Sequence, residues 1–185
     1  SETLMIILSG EVNQQMARWQ IDRQSYFDRI YAKTGAMFVL AAKSAAVLAG
    51  ADKKGLDAMQ SYGYHIGMAY QIVDDVLDFN SSQEQLGKPV GSDLRDGIFT
   101  LPVLLYADQH PNDQRFKQFQ ESQDTSHPAI EDLINAIRSS GVTDRALGEA
   151  AGLIAKGKQA LLEVPYSPYT DALSSLGDSV VNRHA

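Results

Sequence analysis

The sequence predicts an all-α protein built as a bundle of helices. Apolar residues recur with helical periodicity through most of the 185 residues. No run of β-branched residues combines two-residue alternation with the turn signals of a strand pair. Apolar residues make up 44% of the chain and charged residues 21%, a balance typical of a folded globular protein.

Glycine, proline and capping residues divide the chain into predicted helices. Gly50 is placed to end the second helix, and Thr100 with Pro102 is typical of a helix start. The first three predicted helices cover residues 2–19, 22–49 and 54–79, and a fourth begins at residues 100–102. The polar stretch 108–128 holds at most a short helix. The remaining predicted helices cover residues 129–139, 142–163 and 168–183. Without a linker in this series, we expect residues 1–185 to form a single helical domain. Because the chain starts inside a predicted helix, we expect a bundle that is incomplete at its N-terminal side.

Charge and composition exclude several classes of function. The net charge is −7, whereas a general nucleic-acid binder needs a basic face. The absence of cysteine excludes disulfides, thiolate zinc sites and cysteine nucleophiles. No apolar stretch is long enough to cross a bilayer, and no secretory signal pattern opens the chain. We therefore expect a cytoplasmic protein that is not an integral membrane protein and has no nucleic-acid partner.

The residues that point to chemistry form a polar stripe on the third predicted helix. Gln71, Asp74, Asp75 and Asp78 follow the spacing i, i+3, i+4, i+7, which normally marks the buried apolar face of a helix. Here the surrounding residues are apolar, and a helix that is apolar on most faces is buried. The pattern predicts that the stripe lines an internal cavity. The ordinary alternative is an acidic triplet on a solvated helix face.

Three carboxylates this close together need positive charge if they line a cavity. Like charges four residues apart cost about 0.2–0.5 kcal/mol even on an exposed helix, and burial raises that cost. Carboxylate oxygens are hard ligands, and Mg²⁺ takes one or two of them together with water and substrate phosphate. Asp74, Asp75 and Asp78 are therefore candidate Mg²⁺ ligands.

Two lysines extend the candidate site. Lys33, followed by Thr34, lies inside the second predicted helix, and Lys88 lies between Gly87 and Pro89 in the loop after the stripe. Lysine binds phosphate as a point charge, and threonine adds a neutral donor. Each lysine alone is more typical of a solvated surface. Their combination with the carboxylates favours a site for a Mg²⁺-bound diphosphate.

Several sequence motifs occur together in one order. They are Gly10-Glu11-Val12-Asn13-Gln14, Lys33-Thr34, Gln71 with Asp74-Asp75-Val76-Leu77-Asp78-Phe79, the run from Leu86-Gly87-Lys88-Pro89 to Gly97, and Thr100-Leu101-Pro102. The set resembles the trans-prenyltransferases, the polyprenyl and geranylgeranyl diphosphate synthases, with motifs over roughly residues 4–107. The acidic run resembles that family's second aspartate-rich region. The resemblance implies an isoprenoid-synthase-like helical bundle.

The resemblance also implies a reaction and a set of roles. The family is Mg²⁺-dependent and joins an allylic diphosphate to isopentenyl diphosphate: the allylic C–O bond ionises, and isopentenyl diphosphate attacks the cation. By resemblance, Asp74 would ligate metal directly, and Asp75 and Asp78 would act through water or neighbouring groups. Lys33 and Lys88 would bind the allylic diphosphate. Thr34 and Gln71 would hydrogen-bond near the reacting carbon, and Asp93 would orient metal-bound water.

The sequence departs from the family pattern at two places. Ile98 stands where many members carry a lysine. The first aspartate-rich motif would lie before Ser1, and no second Asp-Asp-x-x-Asp occurs in the sequence. We therefore expect this chain to be the C-terminal portion of a synthase that is inactive by itself. Members of the family commonly form homodimers, so the resemblance implies a homodimer. By resemblance, the residues that set product length belong mostly to the part before Ser1, so this sequence does not identify the product chain length or the preferred allylic primer.

Two other classes of function compete with this one. A non-catalytic subunit or helical interaction protein could keep the fold and lack the first motif, and an upstream acidic motif in the same reading frame would distinguish it from the enzyme. A di-iron carboxylate bundle would need paired Glu-x-x-His sequences on facing helices, and the sequence has none.

Overall fold

A computed structural model describes Met5, residues 18–81, Gly87 and residues 89–182. Regular structure within these residues is entirely helical, as the sequence predicts. The helices are α1 Arg23–Ile30, α2 Ala36–Leu48, α3 Lys53–Asn80, α4 Ser92–Arg95, α5 Leu101–Gln109, α6 Gln114–Ser122, α7 Ile130–Ser139, α8 Val142–Leu161 and α9 Pro168–Val181, with a π-helical turn at Tyr31–Gly35. None of the helices in this described part combines the length and apolar character needed to cross a bilayer.

The ends of the early helices follow the capping residues in the sequence. Asp22 accepts hydrogen bonds from the backbone N–H groups of the first turn of α1, and Asp52 accepts one at the start of α3. Gly50 follows α2 with a φ of +70°, a left-handed conformation that glycine adopts without steric cost. The helix predicted over 22–49 is present as α1, the π-helical turn and α2 in succession.

The later boundaries agree with the prediction to within a few residues. Thr100 precedes α5 in an extended conformation, with Pro102 in the first turn, although its side chain makes no capping bond. The polar stretch 108–128 contains only the short helix α6. The helix predicted over 2–19 lies almost wholly outside the described residues, and Arg18 and Trp19 at its end form a turn.

The core is built around α3, which is apolar on most of its circumference. Ile66, Ile72, Val73 and Val76 of this helix are completely buried. Helix α3 packs between α2 and α8, and it also contacts the π-helical turn and α9. Side chains from the shorter helices α5, α6 and α7 continue the same core. The polar stripe therefore lies on the most buried helix of the described bundle.

Glycines bring α2 and the π-helical turn unusually close to α3. A Cβ atom at Gly63 would lie 2.6 Å from the carbonyl oxygen of Phe38, and one at Gly67 would lie 2.9 Å from the Cα atom of Gly35. Both distances are shorter than any carbon atom tolerates against backbone. The close approach holds the Lys33–Thr34 turn directly against the helix that carries the acidic stripe.

We predict that Gly63→Ala destabilises the protein, because the added methyl group must push the α2 backbone away from α3. The expected loss is about 1–3 kcal/mol in the free energy of unfolding, the usual cost of overpacking, measured by urea denaturation. The control is Gly152→Ala on the exposed face of α8, where a Cβ atom meets nothing within 4 Å. That change should stabilise the protein by about 0.5–1 kcal/mol through helix propensity. Equal behaviour of the two variants would contradict the close approach.

Candidate functional site

The polar stripe of α3 divides between buried and exposed positions. The solvent-exposed fractions of Gln71, Asp75 and Asp78 are 6%, 4% and 2%, so these residues are buried. Asp74 is exposed. Successive residues of an α-helix are about 100° apart around its axis, so Asp74 and Asp75 leave the helix in different directions. The stripe thus has one exposed carboxylate, that of Asp74, and two buried carboxylates, those of Asp75 and Asp78.

Both oxygens of Asp75 accept hydrogen bonds from neighbouring side chains. The phenolic hydroxyl of Tyr26 on α1 donates to Oδ2 at 2.7 Å. One turn back on α3, Nε2 of Gln71 donates to Oδ1 at 2.9 Å. A buried carboxylate is tolerated only when its lone pairs are satisfied in this way. Asp75 is therefore held in a fixed position between α1 and α3.

Thr34 connects the lysine-bearing turn to the stripe. Its hydroxyl donates to Oε1 of Gln71 at 2.9 Å. Thr34 is half-buried, and Lys33 beside it is exposed. Both lie in the π-helical turn, a rare geometry that is frequent at functional sites. The structure therefore brings three of the predicted site residues together, namely Thr34, Gln71 and Asp75, and the exposed Lys33 precedes Thr34 in the chain.

Asp78 accepts hydrogen bonds that hold the loop after α3 in place. Its Oδ2 atom accepts the backbone N–H of Asp93 at 3.2 Å, and its carbonyl oxygen accepts the N–H of Gly91 at 2.8 Å. Gly91 has a φ of +67° and faces Ile134 so closely that a Cβ atom would lie 2.8 Å from it. These contacts bring Asp93 next to the acidic stripe. Lys88 and the Gly10–Gln14 motif lie outside the described residues.

Two residues of the site, Tyr26 and Arg29 on α1, are absent from the sequence-based prediction. Arg29 is 7% exposed, donates from Nη2 to the carbonyl oxygen of Phe99 at 2.8 Å, and lies 5.6 Å from the centroid of the Tyr26 ring. A cation at this distance from an aromatic ring is attracted to it. Tyr26, Arg29 and Lys33 have the spacing i, i+3, i+7, the signal that could have identified them as one helix face.

Burial and neighbouring charge shift the ionisation of this cluster. Burial, together with the negative charge of Asp93, raises the pKa of Asp75 to about 7, although the hydrogen bonds from Gln71 and Tyr26 act in the opposite direction. Burial also raises the pKa of Tyr26 well above its ordinary value, with Asp75 adding to the effect. Burial lowers the pKa of Arg29, while the charge of Asp75 acts in the opposite direction. A divalent cation near Asp74 would favour the ionised form of Asp75.

The donor set fits a metal ion that is shared with a substrate. Among the described residues, no three histidine, aspartate or glutamate side chains are grouped so that they could hold an ion by themselves. Mg²⁺ does not need such a cage, because it usually keeps water and takes one or two carboxylates plus substrate phosphate. Asp74 is exposed and can supply such a ligand, whereas the oxygens of Asp75 already accept hydrogen bonds.

Three clefts of the described part lie away from the stripe. Their volumes are about 680, 690 and 640 Å³, and they are lined by residues of α8 and α9, of α2, α3 and the segment before α9, and of α3 and α8. No stripe residue lines any of these three clefts. That the stripe lines an internal cavity therefore stays a prediction.

Comparison with known proteins agrees with the fold and with the motifs. The sequence model described as Polyprenyl synthetase matches residues 1–137, so the chain belongs to the polyprenyl synthetase family. Heptaprenyl diphosphate synthase component 2 of Bacillus subtilis is 31% identical over 99% of this chain and 53% of its own length. Octaprenyl diphosphate synthase of Escherichia coli is 34% identical over 99% of this chain and 58% of its own length. The chain spans about half the length of these curated relatives.

Two solved structures have the same architecture. Heptaprenyl diphosphate synthase from Staphylococcus aureus superposes with a TM-score of 0.92 at 31% identity, covering 100% of this chain and 58% of that one. Polyprenyl synthase from Caulobacter crescentus, complexed with calcium and isoprenyl diphosphate, gives a TM-score of 0.88 at 32% identity, covering 100% of this chain and 57% of that one. The expectation of an all-helical isoprenoid synthase fold is confirmed.

Proposed function

We propose that this chain carries part of the active site of a Mg²⁺-dependent prenyl diphosphate synthase, which joins an allylic diphosphate to isopentenyl diphosphate. One observation carries the proposal: the hydrogen bond from Thr34 to Gln71, which joins the lysine-bearing turn to the acidic stripe. Diphosphate binding needs cations, and metal binding needs carboxylates. This contact supports a site that combines both kinds of group.

The residues have separate roles in this proposal. Asp74 would hold Mg²⁺, with Asp75 and Asp78 supporting it through water or neighbouring groups. When bound, Mg²⁺ would neutralise the charge that develops on the departing diphosphate. Lys33 and Lys88 would bind the allylic diphosphate as point charges. Thr34 and Gln71 would lie near the reacting carbon, and Asp93 would orient water at the metal.

The relatives support the class of ligand. The Caulobacter crescentus protein is complexed with a divalent cation, calcium, and with an isoprenyl diphosphate. The relatives described above are synthases of heptaprenyl and octaprenyl diphosphate. These ligands and products agree with a site that combines carboxylates and lysines. They support a long-chain polyprenyl diphosphate as the class of product.

A second candidate is a non-catalytic subunit of such an enzyme. The sequence contains one Asp-Asp-x-x-Asp motif, and the Bacillus subtilis relative is itself described as a component of its synthase. We propose that these 185 residues alone do not condense the two substrates, because metal-assisted ionisation in this class needs a second acidic motif. A full-length protein without that motif would be the subunit.

The deciding experiment is a condensation assay with radiolabelled isopentenyl diphosphate. We expect the full-length protein, given allylic primers of increasing length, to form labelled product with Mg²⁺ and none after chelation with EDTA. The 185-residue chain should form no product under the same conditions. Product formed in EDTA would contradict metal dependence. A full-length protein that makes no product with any primer would favour the subunit.

We predict that Asp74→Ala in the full-length protein lowers turnover by about 100-fold or more, because a charge-stabilising ligand of the transition state is lost. Since Asp74 is exposed, the circular dichroism spectrum should be unchanged. Asp57→Ala is the matched control, since Asp57 is an exposed aspartate of the same helix that forms a surface ion pair with Lys53. Unchanged turnover in Asp74→Ala would refute the assignment of Asp74.

We predict that Lys33→Ala raises the KM for the allylic diphosphate roughly tenfold, the effect of losing one hydrogen bond to a charged group. Steady-state kinetics at saturating isopentenyl diphosphate measure this change. The control is Lys43→Ala, because Lys43 is an exposed lysine further along the same helical segment and bonds to Gln60. If both lysine variants raise the KM equally, the effect is a general loss of positive charge and the role of Lys33 is wrong.

A further inference from the structure

The hydrogen bonds between α1, α3 and the π-helical turn run in one direction. When Asp75 is ionised, its oxygens only accept hydrogen bonds, and Gln71 then turns its Nε2 atom towards Asp75, at 2.9 Å. Its Oε1 atom then faces Thr34, whose hydroxyl donates to it at 2.9 Å. The orientation of the Gln71 amide is therefore set by Asp75.

Packing alone cannot select this orientation. The oxygen and the NH₂ group of an amide are nearly equal in size, so hydrogen bonds decide between the two orientations. In the reversed orientation, Nε2 would face the Thr34 hydroxyl and Oε1 would face the Asp75 carboxylate, placing two acceptors together. Asp75 excludes that arrangement only while its carboxylate stays within hydrogen-bonding distance of the Gln71 amide, and a change of its χ1 rotamer would carry the carboxylate away.

Tyr26 is the group that fixes Asp75 from the opposite side. Its hydroxyl lies 2.7 Å from Oδ2, and its ring is 1% exposed. The guanidinium of Arg29 lies 5.6 Å from the centroid of this ring, and the ring of Phe27 lies 5.2 Å away in an edge-on contact. Burial and these contacts restrict the phenol, and its hydroxyl helps to determine where the carboxylate lies.

We propose that Tyr26 is a positioning residue for the synthase reaction, which holds the Gln71 amide in one orientation through Asp75 and thereby sets the hydroxyl of Thr34 beside Lys33. The effect on turnover rests on the proposed function. The effect on the Gln71 amide does not, since it follows from the described contacts alone.

Tyr26→Phe tests the proposal, with Tyr62→Phe as its matched control. Both tyrosines are buried, at 1% and 4% exposure, and each hydroxyl donates one hydrogen bond. The Tyr62 hydroxyl bonds to the carbonyl oxygen of Leu173 at 2.8 Å, away from the site. Each substitution removes one hydroxyl and keeps the ring, so we expect the two variants to lose similar thermal stability.

Only Tyr26→Phe should affect the reaction and the amide. In the full-length protein we expect kcat to fall roughly 10- to 100-fold, as for a small displacement of reacting groups, with the KM for isopentenyl diphosphate unchanged. In protein labelled with ¹⁵N at glutamine side chains, the Gln71 amide, assigned by its loss in Gln71→Glu, should exchange slowly with solvent in the wild type and in Tyr62→Phe. In Tyr26→Phe it should shift and exchange faster.

The outcomes separate the proposal from the proposed function. An unchanged Gln71 amide in Tyr26→Phe overturns the positioning role, whatever the kinetics show. Equal losses of kcat in Tyr26→Phe and Tyr62→Phe overturn it as well, because they indicate a general structural effect. If the wild-type protein makes no product, the proposed function fails, and a change of the Gln71 amide confined to Tyr26→Phe still supports the positioning role.

Discussion

The buried carboxylate of Asp75 is the constraint on which the rest of the site depends. A carboxylate removed from water is costly unless its oxygens accept hydrogen bonds and a positive charge lies nearby. Tyr26 and Gln71 supply those bonds, and the buried guanidinium of Arg29 contributes the charge. Because these groups come from α1 and α3, the carboxylate fixes how the two helices face each other.

The second support of the site is the close contact between α2, the π-helical turn and α3. Gly63 and Gly67 allow backbone to approach backbone, which no larger residue would permit. Side chains carried on helices packed at this distance have little freedom to move, and such rigid placement suits a site that must orient a reacting group. The hydrogen bond between Thr34 and Gln71 depends on this approach.

The acidic stripe contains carboxylates with two different tasks. Asp74 is open and can bind a cation directly, whereas Asp75 and Asp78 are buried and hold other parts of the structure in place. A hydrogen bond to Asp78 attaches the loop with Asp93, and those to Asp75 fix the Gln71 amide. A fold of this family can host several functions, so the proposal of a synthase rests on this division of roles and on the hydrogen bond between Thr34 and Gln71.

Among the described residues, the sequence by itself determined most of the helices, their boundaries to within a few residues, and the stripe. Capping by Asp22 and Asp52, the glycine after α2 and the helical spacing of Gln71 and the aspartates act within a few residues, so local patterns reveal them. Only the tertiary structure decided which aspartate is buried, that Tyr26 and Arg29 belong to the site, and that the Lys33 turn is π-helical. These features depend on the rotation of one helix against another, which is set by packing between segments far apart in the chain.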